Sequence, residues 1–213
     1  MKKFGIFAGI VAILVVIFLI FLLIIGLAAG GSYNRLVGLS QNADSKWAQV
    51  ENDYQRRADL IPNLVATVSG AANFEKSTLV EVTQARASVG KVQINANAAP
   101  TDPNQLAQFD QAQQQLSSAL SHLMVVVEKY PNLTATENFR DLQAQLEGTE
   151  NRITVSRMDF NQAVQAYDTA IKSFPAVFFA GAMGFNPKPY FAAAPGAGNA
   201  PKVQFNFNVN STN

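Results

Sequence analysis

The stretch NFRDLQAQLEGTENRITVSRMDFNQAVQAYDTAIKSF, residues 138–174, decides the fold. Leu146, Ile153, Phe160, Tyr167 and Phe174 recur every seven residues, and Thr149, Ser156, Ala163 and Ala170 recur at the same interval between them. A seven-residue repeat is close to two turns of helix, so both rows share one face. One row is bulky and the other small, which admits a neighbouring helix close beside a ridge of large side chains. An aromatic stripe at this spacing reads as core and not as a cofactor box.

Other segments carry the same period. Leu36, Ala43 and Val50 alternate with Ser40, Trp47, Tyr54 and Ile61. A second segment holds Leu64, Val65, Val68, Ala72, Leu79, Val82 and Val89, and a third holds Leu106, Phe109, Leu116, Leu120, Leu123, Val127 and Tyr130. From Tyr33 to Phe174 the spacing is that of helices, not strands. Asn95 to Pro103 (NANAAPTDP) reads as a loop. Asp102 is a candidate N-cap, with Pro103 at the first helical position. Tyr130-Pro131 ends the third segment, because the residue before proline is pushed out of the α region. Thr134 or Thr136 caps the last helix, and Thr134 with Glu137 fits a capping box.

Pro62 admits two readings, a kink inside a long helix or a first-turn proline after a turn near Asp59. The turn is preferred on length. It gives four helices of about 25, 32, 26 and 40 residues, the first three roughly 40–50 Å long, which suits an antiparallel bundle. The fold class is therefore all-α, with an antiparallel bundle of about four long helices over residues 30–174.

Ahead of the bundle lies FGIFAGIVAILVVIFLIFLLIIGLAA, residues 4–29, without a charged side chain. About 20 apolar residues suffice to span a bilayer as a helix, so this run predicts a transmembrane helix. Lys2 and Lys3 keep the N-terminus (1–3) cytoplasmic, which puts the rest outside. The alternative is a cleaved signal peptide, but its apolar region is ordinarily 7–15 residues.

After the bundle, residues 175–191 are apolar, aromatic and broken by Gly and Pro. An even number of antiparallel helices returns the chain to the membrane side. Phe178, Phe179, Phe185, Tyr190 and Phe191 then lie near the bilayer interface, where aromatic side chains are favoured, or else cap the end of the bundle. Residues 192–213 form a flexible Pro/Gly-rich tail. At its end Val203, Phe205, Phe207 and Val209 alternate with amides. That is strand spacing, either a C-terminal β-strand paired between subunits or a disordered terminus.

Composition excludes several function classes. The chain has no cysteine, hence no disulfide, thiolate catalysis, lipid-modified cysteine or Cys-based metal site. Sixteen Lys and Arg face 15 Asp and Glu, with no basic stripe of the kind nucleic-acid binders carry. Arg56-Arg57, flanked by Asp53 and Asp59, reads as a solvated, locally paired helix face.

In order along the chain, YNRLVGLSQNADSKWAQVENDYQRRADLIPNLVATVSG (33–70), EVTQAR (81–86), YPNLTATENFRDLQAQLEGTENRI (130–153), FNQAVQAYDTAIKSFP (160–175) and GFNPKPYF (184–191) together resemble the LemA family. Met158-Asp159-Phe160 departs from the family's usual Arg-x-Tyr, and residues 91–105 look individual. The resemblance implies a bacterial inner-membrane protein with a helical domain on the outer, periplasmic side. It implies no agreed activity. Some relatives are associated with membrane shaping, and others occur beside membrane-bound metalloproteases.

Few side chains carry reactive chemistry. His122 is the single histidine; it reads as structural, with no second His or Cys to complete a metal site. No GxSxG turn or phosphate-cradling glycine loop is present. Glu147 and Glu150, three apart near Arg152 and Arg157, are the one candidate acid/base pair, and surface ion pairing is the plainer reading. Asn132 and Asn210 match the glycan acceptor pattern by accident in a bacterial chain.

No catalytic, cofactor-binding or metal residue is therefore assigned, and no cofactor is expected. The expected function is a non-enzymatic membrane-anchored scaffold, with the lipid bilayer, further copies of itself and a membrane protein such as a protease as partners, and no nucleic acid. The alternatives are an adaptor of a membrane-bound metalloprotease and a carboxylate-dependent hydrolase.

Overall fold

The structure is a computed structural model that describes residues 2–92 and 98–192; the side chains of residues 2–12, 21–22, 24–25 and 27–29 lie outside that description. The loop's middle and the tail from residue 193, with its expected strand, are likewise outside it. Every described element is helical: α1 Lys2–Ser69, α2 Lys76–Val89, α3 Pro103–Val127, the single turn α4 Pro131–Thr134, α5 Glu137–Lys172, and a 3-10 turn Ala176–Phe178. Among the residues with described side chains, no helix is long and apolar enough to cross a membrane. The span expected over 4–29 falls largely outside them.

The seams pack as their spacing requires. In α5, Leu146, Ile153, Phe160, Tyr167, Thr149, Ser156, Ala163 and Ala170 are all buried. Phe174 leaves the row. It lies beyond the end of α5 and is 82% exposed. Leu36 of α1 packs with Ala170 and Ile171, Trp47 meets Phe160, and Ile61 and Leu64 share a core with Leu146. Rising numbers on α1 thus meet falling numbers on α5, an antiparallel pair. Trp47 also meets Phe109, and Val68 shares a core with Val127, so α3 runs parallel to α1, and α2 returns between them.

One expectation is corrected. The chain does not turn near Asp59; α1 continues through Pro62 to Ser69. A proline inside a helix has no N–H for the carbonyl four residues back, here that of Ala58. Arg86 Nε, from α2, donates to that oxygen at 3.1 Å, so a donor from the next helix stands in for the missing one. The chain turns instead at residues 70–75, where Asn73 takes the left-handed conformation (φ 62°) and its carbonyl accepts from Tyr130 Oη at 3.1 Å. The Trp47 and Tyr54 seam still finds intrachain partners, because α3 and α5 cover it.

The caps divide likewise. Asp102 accepts from the Asn104 N–H at 2.8 Å with Pro103 beside it, as expected. The Thr134–Glu137 capping box does not form. Thr136 is the N-cap of α5 and makes no side-chain cap bond; its hydroxyl donates to Leu133 O at 2.7 Å, and Thr134's to Pro131 O at 3.0 Å.

After α5 the chain folds back up the bundle. Phe179 and Phe185 pack with Leu36, Tyr167 and Ile171 at its foot. Farther on, Tyr167 Oη donates to Asn186 O at 3.0 Å, Asp168 accepts from the Lys188 N–H at 3.1 Å, and the Asn161 amide both donates to and accepts from the Phe191 backbone at 3.1 and 3.0 Å. Phe191 is buried against Trp47 and Phe160. This strap corrects the placement of Tyr190 and Phe191 beside the bilayer: Trp47 is 11 residues above Leu36, about 16 Å along α1. The cap reading holds for Phe179 and Phe185, while Phe174 and Phe178 stay exposed.

Candidate functional site: a polar layer inside the bundle

The heptad Leu36–Ala43–Val50 continues to residue 57 and then to Leu64. A large apolar side chain belongs there, yet the residue is arginine. In α3 the row Leu106–Leu120–Val127 is interrupted by Gln113 in the same way. The fold brings the two together. Arg57 is 1% exposed and Gln113 is buried beside it. One hydrophobic cluster, around Leu64, Leu123 and Leu146, lies on one side of this layer, and another, around Trp47, Phe109 and Phe160, lies on the other.

Arg57 Nη1 donates to Glu150 Oε1 at 2.5 Å and to Ser117 Oγ at 2.8 Å, while Nη2 donates to Gln113 Oε1 and, at 3.4 Å, to Gln113 O. The guanidinium lies 5.0 Å from the centre of the Tyr54 ring. Its Nε meets no hydrogen-bond partner. Beside it, Arg157 Nη1 pairs with Asp110 Oδ1 at 2.9 Å and reaches Tyr54 Oη at 3.3 Å, and its guanidinium sits 4.2 Å from the Phe191 ring centre. Burial raises the Tyr54 hydroxyl above the ordinary phenol range, and the charges of Arg157 and Arg57 pull it part of the way back. Two cations and two carboxylates thus offset one another along an open groove lined by Tyr54, Arg57, Gln113, Ser117, Glu150 and Arg157.

The reading of Arg56-Arg57 as a solvated, locally paired face is therefore corrected. Arg56 is exposed, but Arg57 is interior and pairs across helices with neither flanking aspartate. Asp53 is itself buried and faces Arg152 at 3.7 Å, and Asp59 accepts from Gln55 at 2.8 Å. The signal was the register, which puts position 57 in line with four apolar positions. Adjacency to Arg56 suggested a surface because it ignored that register.

The candidate carboxylates are not brought together as an acid/base pair. Glu150 turns to Arg57, and Glu147 accepts from Gln143 at 3.0 Å. His122 is exposed and lies 2.8 Å from Glu81 across α2 and α3. Asn132 is exposed at the start of α4; Asn210 is outside the described residues. Among the described residues, no three His, Cys, Asp or Glu side chains are grouped to hold a metal ion. What the layer does is tie three helices together: the acceptors of the Arg57 charge on α1 come from both α3 and α5, the kind of contact by which single polar residues specify register in coiled-coil seams.

A second polar tie missed in the sequence is Asp44. Its Oδ1 accepts from Lys188 Nζ at 2.8 Å and from the Ala99 N–H at 2.9 Å, pinning strap and loop to α1.

Residues 46–205 match the LemA family. The chain belongs to the LemA family. It is similar to magnetosome protein MamQ 2 of Paramagnetospirillum magneticum, 26% identical over 190 residues, covering 80% of this chain and 68% of the relative. It is 25% identical over 193 residues to magnetosome protein MamQ of Magnetospirillum gryphiswaldense, with the same coverage. Protein LemA of Metamycoplasma hominis is 26% identical over 134 residues, spanning 63% of this chain and 55% of that one. The family match takes in the Arg57 layer and the strap alike.

Proposed function

We propose that this LemA-family chain is a non-enzymatic, membrane-anchored scaffold. Its helical domain stands on the periplasmic face of a bacterial inner membrane and self-associates or recruits partners there. The observation that carries this reading is the continuity of α1, one helix from Lys2 to Ser69 that joins the apolar run to the bundle. Ile13 to Ile20 and Leu23 are each at least half exposed among the described residues. An apolar surface of that extent is unfavourable in water and suits hydrocarbon. The ion-paired polar layer, which offers a scaffold more than a reaction centre, supports the non-enzymatic part. The likeness to magnetosome proteins fits a place in an assembly.

Affinity isolation of the detergent-extracted full chain tests the reading. Recovery of further copies of the chain, or of a membrane protein at fixed ratio, is the expected result. A membrane protease at fixed ratio would select the adaptor role. A chain recovered as a monomer without partners would sink the scaffold. Protease added to intact spheroplasts tests the topology: digestion of the bundle is expected, and full protection would overturn it.

A further inference from the structure

We infer that the foot of the bundle, centred on Phe174, Val177 and Phe178, is a second lipid contact that seats the domain on the bilayer interface beside its own anchor. The inference rests on the membrane-anchored reading above.

Three observations carry it. The first is exposure: Phe174 is 82%, Phe178 80% and Val177 51% exposed, and the two phenyl rings meet edge to face with centroids 6.1 Å apart. The neighbouring Phe179 and Phe185 pack inward against the bundle, partly buried, so this one segment sorts its aromatic residues into an inward set and an outward set. The second is height. Leu36 packs against Ala170 and Ile171, and α1 and α5 are antiparallel. Leu36 is seven residues, about 10 Å, above the end of the apolar run at Ala29. Phe174 follows directly on the end of α5 at Lys172, and α5 descends past Leu36 toward that end. The Tyr33 ring, 5.5 Å from that of Phe185, ties the segment to α1 at the same level. The third is charge. Residues 173–187 (SFPAVFFAGAMGFNP) carry none, and neither does α1 from Phe4 to Asn34; Arg35 and Lys172 stand just above. Uncharged aromatic side chains beneath a basic rim suit the headgroup boundary, where aromatic rings are enriched and Lys and Arg reach outward.

The cysteine-free chain permits a clean test. Single-cysteine full-length variants Phe178→Cys, Ile17→Cys and Val125→Cys carry an environment-sensitive fluorophore, with each protein in phosphatidylethanolamine/phosphatidylglycerol liposomes. Lipids bearing a nitroxide near the headgroup or deep in the acyl chain act as quenchers. Val125 is exposed near the far end of α3 and serves as the distant reference. The expected result is at least twofold stronger shallow quenching at position 178 than at 125, with deep quenching at 17. Quenching at 17 with position 178 no different from 125 overturns the second contact and leaves the anchor standing. If 178 is then also shielded from aqueous iodide, a second copy covers the foot instead. Absence of quenching at 17 removes the anchor itself, and this inference with it. Because Phe178 is exposed, unchanged circular dichroism is expected for the variant.

Discussion

Cutting the Arg57–Glu150 pair from its two ends should give unequal losses, with the larger loss at the more exposed residue. Glu150→Gln leaves the Arg57 guanidinium 1% exposed and without a charge to face. An uncompensated buried charge costs about 3–5 kcal/mol. Gln113 and Ser117 still accept from it, and the new amide oxygen lies where the carboxylate was, so the expected loss is discounted to about 2–3 kcal/mol. Arg57→Met keeps an apolar stem in the seam and leaves Glu150, whose side chain is 44% exposed, free to rehydrate. Its cost is the buried Gln113 side-chain oxygen left without that donor, about 1–2 kcal/mol. The double variant should lose less than the sum, with a coupling of at least about 1 kcal/mol, because contacting residues are non-additive. Urea unfolding of the full chain in mild detergent, followed by circular dichroism, measures all four corners of the cycle. Additivity within about 0.5 kcal/mol, or a larger loss for Arg57→Met than for Glu150→Gln, would refute the interior placement of the charge.

Four further outcomes are expected. Ala163→Leu and Ala170→Leu should overpack the small row of α5 by about 1–3 kcal/mol each, while Phe160→Ala should leave a cavity worth about 3–5 kcal/mol; unchanged urea midpoints would mean the seam faces solvent. Glu51→Gln should raise the melting temperature at pH 7 and not at pH 4. Burial raises the Glu51 pKa above its ordinary 4.5, opposed only weakly by the Trp47 indole, since neither Trp47 Nε1 nor Glu51 Oε2 meets a partner at bonding geometry. Folding therefore favours the protonated acid, and that stability is complete below the unfolded pKa and lost as pH rises through the raised value. Arg86→Leu should cost about 1 kcal/mol by stranding the Ala58 carbonyl, and the cost should vanish in a Pro62→Ala background, where a helix N–H returns; an equal cost in both backgrounds would contradict the substitution of one donor for the other. Asn161→Ala should free the strap, with faster amide hydrogen exchange confined to residues around 186–191; protection unchanged there would show that packing of Phe191 alone holds it.

The heptad rows of α5, α3 and α1, the Asp102 cap and the helix end at Tyr130-Pro131 were all legible in the chain, and for one reason. They depend on neighbours within two turns of the same segment, so periodicity encodes them directly. The family was legible too, through motifs spread over the bundle and strap. The sequence by itself also placed an uncharged run of residues ahead of the bundle, and its spacing put an arginine in register with Leu36, Ala43, Val50 and Leu64. What tertiary structure alone decided were the matters settled by groups far apart in the chain. Pro62 is compatible with a turn or a continuous helix until a donor is found for Ala58, and that donor comes from 28 residues away. Arg57 is a surface charge or an interior one according to whether acceptors 56 to 93 residues distant converge on it. Phe191 and Phe178 belong to the same aromatic segment, yet one fills the core and the other stays exposed on the protein's surface, because the Asn161 amide and the Trp47 ring lie within reach of only one of them. Local pattern fixes which face of a helix is buried; only the assembled bundle determines which distant group satisfies a carbonyl, a charge or a ring.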